Sequence, residues 1–307
     1  MSGVVRTALT AFTAVATTAA AAAVWGIGIE RHLYTLRSHV VRVLEPGSRP
    51  IRVLHVSDAH LAPWQRRRRE WIARLAGLRP DLVINTGDNL GHPNGLDAVR
   101  EAFAPFAGTP GVFVHGSNDL WAPTPRNPLK YLAGPSNHRV HANPLDTAAL
   151  DAFLSDEVGW AALDNTATTI EVAGSPIRFI GTNDAHHDLD DTTAARDALA
   201  GLPTAPLTLG VTHAPYQRVL DDFVDAGVDA LFAGHTHGGQ VRVPFYGALV
   251  ANCDLPAEQT RGLSTWAHAG RAVPLNVSAG LGHSIYAPVR FACRPEASLV
   301  TLAPRPA

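Results

Sequence analysis

Three apolar runs in the first half of the chain end in a polar residue at one fixed interval. Ile51-Arg52-Val53-Leu54-His55-Val56 leads to Asp58, Asp81-Leu82-Val83-Ile84-Asn85 to Asp88, and Gly111-Val112-Phe113-Val114-His115 to Asn118. The three residues follow one another at 30-residue spacing, about the length of one βαβ unit. Runs of this length with β-branched members read as strands. Helical stretches near 65–78 and 95–106 fill the gaps. The rhythm therefore predicts three successive parallel strands whose following loops share one carboxyl edge, where open α/β sheets build their sites. Singly, each residue would be an ordinary helix cap or turn residue.

The second half continues the alternation. A helix is expected near 147–157, strands at 168–172 and 177–181, a helix near 191–199, a strand at 207–212 and a helix near 216–226. The strand at 207–212 ends in His213-Ala214-Pro215. The apolar run 228–233 ends in Gly234-His235-Thr236-His237-Gly238-Gly239-Gln240. Residues i and i+2 of an extended segment share a side, so His235 and His237 can converge on one point. Further strand-like runs lie at 241–243, 247–250, 275–280 and 298–302. A Pro- and Asn-rich loop over 120–144, with Trp121, Tyr131, His138 and His141, reads as a lid or substrate wall, or as a surface excursion.

The N-terminus is organised differently. Between Arg6 and Glu30 the chain is uncharged and rich in Ala and Thr. As a helix, residues 7–29 can cross a hydrocarbon core of about 30 Å. A membrane anchor, a cleaved export signal and a soluble amphipathic helix are the competing readings. Glu45-Pro46-Gly47-Ser48-Arg49-Pro50 reads as a turn-rich linker. The expected division is residues 1–50 as anchor or signal segment plus linker, and 51–307 as one domain. A net charge of −2 gives no global attraction to nucleic acid, and the domain is expected to be a monomer. Two cysteines make no disulfide framework.

The polar residues collected at strand ends are Asp58, His60, Asp88, Asn118, His213, His235 and His237. This mixed N/O set without thiolates suits Mn, Fe or Zn. Seven ligands exceed the needs of one ion and suit two ions about 3.5–4 Å apart, which ease deprotonation of a water and polarise a phosphoryl oxygen.

The series Asp58-Ala59-His60, Gly87-Asp88, Gly116-Ser117-Asn118-Asp119, His213 and Gly234-His235-Thr236-His237 resembles the calcineurin-like metallophosphoesterase family, from about residue 51 onward. The Gly-His-Thr-His-Gly-Gly-Gln form, with Pro288-Val289-Arg290-Phe291, is similar to a bacterial branch that is often membrane-anchored or exported. The resemblance implies an α/β four-layer sandwich: two mixed sheets face to face with helices outside. It implies two divalent metal ions, with Asp58, His60 and His237 on one, Asn118, His213 and His235 on the other, and Asp88 as bridge. It also implies hydrolysis of a phosphomonoester or phosphodiester by a hydroxide bridging the ions. The alternatives are a membrane-lipid-directed pyrophosphate or phosphodiester hydrolase, and a metal-binding relative without catalysis.

One departure stands out. Where the family pattern reads Gly-Asn-His-Asp, this chain reads Gly116-Ser117-Asn118-Asp119, and the usual histidine is missing. Asn118 or Ser117 takes the ligand position, and the amide oxygen of Asn118 is the better donor. Proton transfer to the leaving group would fall to Asp119, or to His92, His186 or His283 reaching in from a loop. His186, His283 and Arg290 are candidates for holding substrate, although Arg290 can instead pair a carboxylate within the fold. The run Arg66 to Arg69 reads as a solvated face or as a contact for lipid or substrate phosphate.

Overall fold

In the computed structural model, which describes residues 3–125 and 143–306, the central strands have no polar face. One sheet contains β1 (Thr35–Leu44), β2 (Ile51–Val56), β3 (Leu82–Asn85), β4 (Gly111–Phe113), β5 (Ala161–Ala162) and β14 (Glu296–Pro304). Its order is β1-β14-β2-β3-β4-β5, with β2 to β5 parallel. The second sheet contains β6 (Thr166–Val172), β7 (Ser175–Thr182), β8 (Leu207–Thr212), β9 (Ala230–Ala233), β12 (Gly262–His268) and β13 (Arg271–Val277). Its order is β12-β13-β9-β8-β7-β6, parallel from β13 to β7. A short hairpin, β10 (Arg242–Val243) and β11 (Gly247–Ala248), stands apart.

The side-chain alternation along a strand makes the layers. Ile51 and Val53 of β2 meet Phe179, Leu209 and Phe232 between the sheets. Leu54 and Val56 point the other way, into a cluster with Ile72, Val99 and Phe103. Those three belong to α2 (Arg66–Arg74) and α3 (Leu96–Phe103) on the outer face. Likewise Phe232 of β9 lies between the sheets, while Leu231 packs with Leu220 and Phe223 of an outer helix. Strands covered on both faces read as continuous apolar runs, as these do. Truncating Phe232 to Ala would cost about 3–5 kcal/mol. The architecture is the expected α/β/β/α sandwich.

The expected boundary at residue 51 needs correction. Thr35 to Leu44 form β1, which pairs in parallel with β14 along its length, so the stretch between the apolar helix and the Glu45–Pro50 linker is an edge strand of the first sheet. Its pairing partner lies some 260 residues away along the chain, beyond the reach of local patterning. The strand β12 was also unforeseen, and the expected strand at 275–280 is the end of β13. Tyr131, His138 and His141 fall outside the described residues.

Helix α1 (Gly3–Ala23) continues through a wider turn over Val24–Ile29 and a tighter one over Glu30–His32. The segment Thr10–His32 is long and apolar enough to cross a membrane, and little of it is buried by the rest of the protein.

Candidate metal centre

Asp58, His60 and His237 bring ligand atoms within 4.8 Å of one another, and so do Asp58, Asp88 and His213. His60 Nε2 lies 3.2 Å from His237 Nε2 and 3.3 Å from Asp88 Oδ2. The same Asp88 oxygen lies 3.7 Å from His213 Nε2, and Asp58 Oδ1 is 3.5 Å from His237 Nε2. Asp58 is thus common to both groups, and Asp88 stands between His60 and His213.

The backbone makes this convergence possible. Asp58, His60, Asp88, His235 and His237 all have left-handed backbone, with φ between 41° and 66°. For residues with a Cβ this costs of order 1 kcal/mol each and persists only where the surroundings enforce it. Each of these strands ends and turns sharply, so that the side chain swings back over the sheet edge. Two glycines permit the close approach. A Cβ on Gly116 would sit 2.3 Å from Asp88 Oδ1, and one on Gly234 would sit 2.0 Å from Ser57 Oγ and 2.7 Å from Asp58 Oδ2.

Hydrogen bonds hold the groups in place. His213 Nδ1–H donates to the Thr86 carbonyl at 2.7 Å, which turns Nε2 toward the carboxylates. Asp58 accepts from the Ser57 hydroxyl and from the His235 backbone N–H. Asp88 accepts from the Asn118 backbone N–H and side-chain amide, each at 2.8 Å. Among the described residues, Asp58 Oδ1 and His213 Nε2 nevertheless find no hydrogen-bond partner in their buried positions. Orphaned polar atoms at this depth are costly, and here both belong to a donor set of the kind divalent cations prefer.

The electrostatics agree. Burial pushes the imidazoles of His60, His235 and His237 well below their ordinary range, so they are neutral donors. Burial and the neighbouring Asp58 push Asp88 up to about 6, against the pull of His213. Burial would lower His213, but Asp88, Asp184 and Asp58 outweigh it and raise it to about 9. The carboxylates attract positive charge, and His213 supplies it by holding a proton. A divalent cation would meet the same demand.

Asn118 and His237 are the partly exposed members, while Asp58, His60, Asp88, His213 and His235 are buried, so the site opens on the side of Asn118 and His237. His235 packs its ring on His213 (centroids 5.2 Å) and turns Nε2 toward the Asn252 carbonyl at 3.1 Å. His186 stacks against His235 at 4.6 Å and bonds the Tyr216 hydroxyl through Nδ1. It reaches the rim from a short helical turn over Ala185–His187, which Asp184 caps.

Three expectations change, those for Asp119, Arg290 and His283. Asp119 is fully buried and accepts from the backbone N–H groups of Asn89, Leu90 and Gly116. Its carboxylate ties two strand-end loops together beneath the site and does not face a leaving group. Arg290 is also fully buried and donates to the carbonyls of His237, Ala279, Gly280 and Gly282. Its Nη2 lies 3.2 Å from His237 Nδ1, so it positions that histidine, and its full burial keeps it away from a substrate phosphate. His283 is buried against Arg68, with Nε2 at 3.1 Å from Nη2. His92 packs edge-on against exposed Trp64, ring centroids 5.1 Å apart.

The positioning roles of Arg68 and Asp184 were not assigned in the sequence. Arg68 is buried and donates to the carbonyls of Ala59 and His60, which fixes the first ligand loop. Its only signal was its place in the run Arg66 to Arg69. Asp184 is buried and bonds His187 Nδ1 at 2.8 Å. Burial alone would raise it, but that bond and the nearby His213 hold it well below the usual carboxylate range.

Comparison with known proteins agrees with this geometry. The chain is 26% identical over 262 residues to the uncharacterized metallophosphoesterase YkoQ of Bacillus subtilis (strain 168), covering 82% of this chain and 83% of that protein. It is 24% identical over 289 residues to the uncharacterized metallophosphoesterase YkuE of the same organism, covering 89% and 87%. It is 26% identical over 277 residues to the phosphodiesterase YaeI of Escherichia coli (strain K12), covering 88% of each. The family model for calcineurin-like phosphoesterases matches residues 51–239. That span runs from the strand preceding Asp58 to just past His237, and the chain accordingly belongs to the calcineurin-like phosphoesterase family of phosphoester hydrolases.

Proposed function

We propose that the protein hydrolyses a phosphomonoester or phosphodiester with two divalent ions held by the seven strand-end residues. The observation that carries this reading is the pair of Asp/His groups sharing Asp58, four of whose five members, Asp58, His60, Asp88 and His237, have left-handed backbone. Asp58, His60 and His237 would hold one ion, and Asn118, His213 and His235 the other. Asp88, whose Oδ2 already stands between His60 and His213, would bridge. The Asn118 side-chain nitrogen lies against Asp88; a half-turn of the amide offers its oxygen from the same place. His235 would use Nδ1, since Nε2 faces Asn252.

When bound, the ions would supply a deprotonated water as nucleophile and Lewis acidity toward the phosphoryl oxygens. The chain's own residues hold the geometry. Thr86 selects the His213 tautomer, Arg290 orients His237, Arg68 fixes the loop of His60, and Asp119 joins the loops of Asp88 and Asn118. On the open side, His186 is the imidazole placed to meet a substrate oxygen, with Tyr216 orienting it from behind. It occupies the role that the histidine absent after Ser117 would have filled.

The test is turnover of p-nitrophenyl phosphate and of its bis ester by the metal-loaded protein, with metal content measured on the same sample. Hydrolysis that requires Mn²⁺ and disappears in Asp88→Asn supports the reading. Metal binding with no turnover of either ester would sink it. A second reading, a phosphate ester carried by a membrane lipid, is favoured by one observation. Strand β1 runs antiparallel to β2, because it parallels β14 and β14 opposes β2. The base of α1 therefore meets the sheet at the edge that carries Asp58.

A further inference from the structure

The base of the apolar helix is clamped to the site. The Arg290 backbone N–H donates to the Gly26 carbonyl at 3.1 Å, and a Cβ on Gly26 would lie 2.9 Å from the Arg290 carbonyl. Glu30 is buried, and its carboxylate accepts from Trp25 Nε1 and from the backbone N–H groups of Ala292 and Cys293. Arg290 in turn holds His237. A membrane-crossing helix and a site histidine are thus joined through one loop.

The β10–β11 hairpin is fastened to that same loop. Phe291 N–H donates to the Gln240 carbonyl, and Arg242 N–H to the Phe291 carbonyl. At its turn, Phe245 is completely exposed and Tyr246 is 79% exposed. Val243 and Leu249 on its arms, and Tyr286 on the adjoining loop, are exposed as well. Among the described residues nothing covers the Phe245 side chain. Each such side chain forgoes about 1.5–3 kcal/mol of burial. Clustered exposed apolar groups of this kind mark contact surfaces. Arg31 follows the helix base, and the exposed Arg66 and Arg67 precede Arg68, which touches His283 and the His60 carbonyl. Aromatic residues favour the membrane–water interface, and arginines favour anionic headgroups.

We propose that the hairpin turn, the loop 284–291 and the base of α1 form one bilayer-docking face. Phe245 and Tyr246 enter the headgroup layer, and the metal centre opens at the lipid surface. The proposal rests on α1 crossing the membrane; it does not depend on which ester the site cleaves.

The test uses the full chain reconstituted into phosphatidylcholine–phosphatidylglycerol vesicles. An environment-sensitive fluorophore is placed on Phe245→Cys, and separately on Ser48→Cys in the turn before β2, at the opposite edge of the sheet. Cys253 and Cys293 are buried, so labelling is selective, and p-nitrophenyl ester hydrolysis reports that each variant is folded. The expected result is blue-shifted emission at 245 with several-fold stronger quenching by doxyl lipid, while position 48 is quenched by iodide from water. Phe245→Ser/Tyr246→Ser should leave soluble-ester hydrolysis unchanged. If the protein floats with the vesicles while the label at 245 is as open to iodide as that at 48, the docking face is overturned. If it fails to float, the anchor and the docking face fall together, and hydrolysis of the soluble ester still judges the site.

Discussion

The two sheets bring opposite chemistry to the same place. The first ends in oxygen donors, Asp58, Asp88 and Asn118, with His60 beside them. The second contributes imidazoles, His213, His235 and His237, to the proposed ligand set. Burial acts on the two in opposite senses. It raises the carboxylates and so resists their charge. It lowers His60, His235 and His237 and so leaves their lone pairs free. Neither edge suffices by itself. The carboxylates without a cation hold a proton on His213, and the imidazoles without carboxylates have no charge to balance a metal. Placing the edges face to face puts a concentrated negative charge inside a shell of neutral donors.

The sharpest way to break this arrangement is to remove the residue common to both groups. Asp58→Asn should lower kcat/KM for p-nitrophenyl phosphate by about 10³-fold or more, and elemental analysis should find both ions depleted. Retention of two ions per chain would show that the sharing is only spatial. Next, His237→Ala and His213→Ala should each cost about 10²-fold. Each should drop the metal content by one ion, and crystallography with anomalous scattering should show that the ion lost differs between them. Loss of the same ion in both variants would dissolve the division between the groups.

A gentler probe asks where the proton on His213 goes. With His213 at about 9, near-neutral solution finds it protonated, and Nε2 must be bare to bind metal. Metal uptake should therefore release close to one proton per chain near neutrality. The release should vanish as pH rises through about 9, and increase as pH falls through about 6, where Asp88 also carries a proton. Calorimetry in buffers of different ionisation enthalpy measures this directly.

The smallest effect concerns a histidine outside the site. His115 lies against Asp164 and, at 2.9 Å, Asp151. Burial opposes its charge, but those carboxylates raise it to about 10. A group raised in the folded state stabilises fully below its ordinary value near 6.5, and loses that contribution as pH rises through about 10. His115→Asn should cost about 1–3 kcal/mol in acid, with the gap to the parent protein closing in alkali. Denaturant melts across that range would show an unchanging gap if His115 were neutral.

These contrasts also explain what was readable beforehand. The 30-residue rhythm and the His-x-His pair are local signals, and they marked the strand ends because apolar runs covered on both faces have no other reading. The left-handed turns at Asp58, His60, Asp88, His235 and His237 left no such mark, since most non-glycine residues there are held by tertiary context. The destination of a buried charge was equally hidden. Asp119 answers to backbone N–H groups about 30 residues earlier in the chain, and Arg290 to carbonyls freed by turns around Gly280 and Gly282. The alternation in β1 was present only in Val41 and Val43, and an edge strand directly after an apolar helix reads as its tail.

Strand β14 bears on how the protein is made. It lies between β1 and β2 in the first sheet and pairs with both, yet it is the last strand in the described chain. During synthesis β2 can pair with β3, but β1 has no partner and its open edge waits. A ribosome that has not yet delivered residues 296–304 holds a split sheet, with the N-terminal helix joined to it only by an unpaired ribbon. The arrival of residues 296–304 is what lets the sheet close and the helix seat against it. A nascent chain stalled short of that point would display the exposed β edge that chaperones and aggregates both recognise.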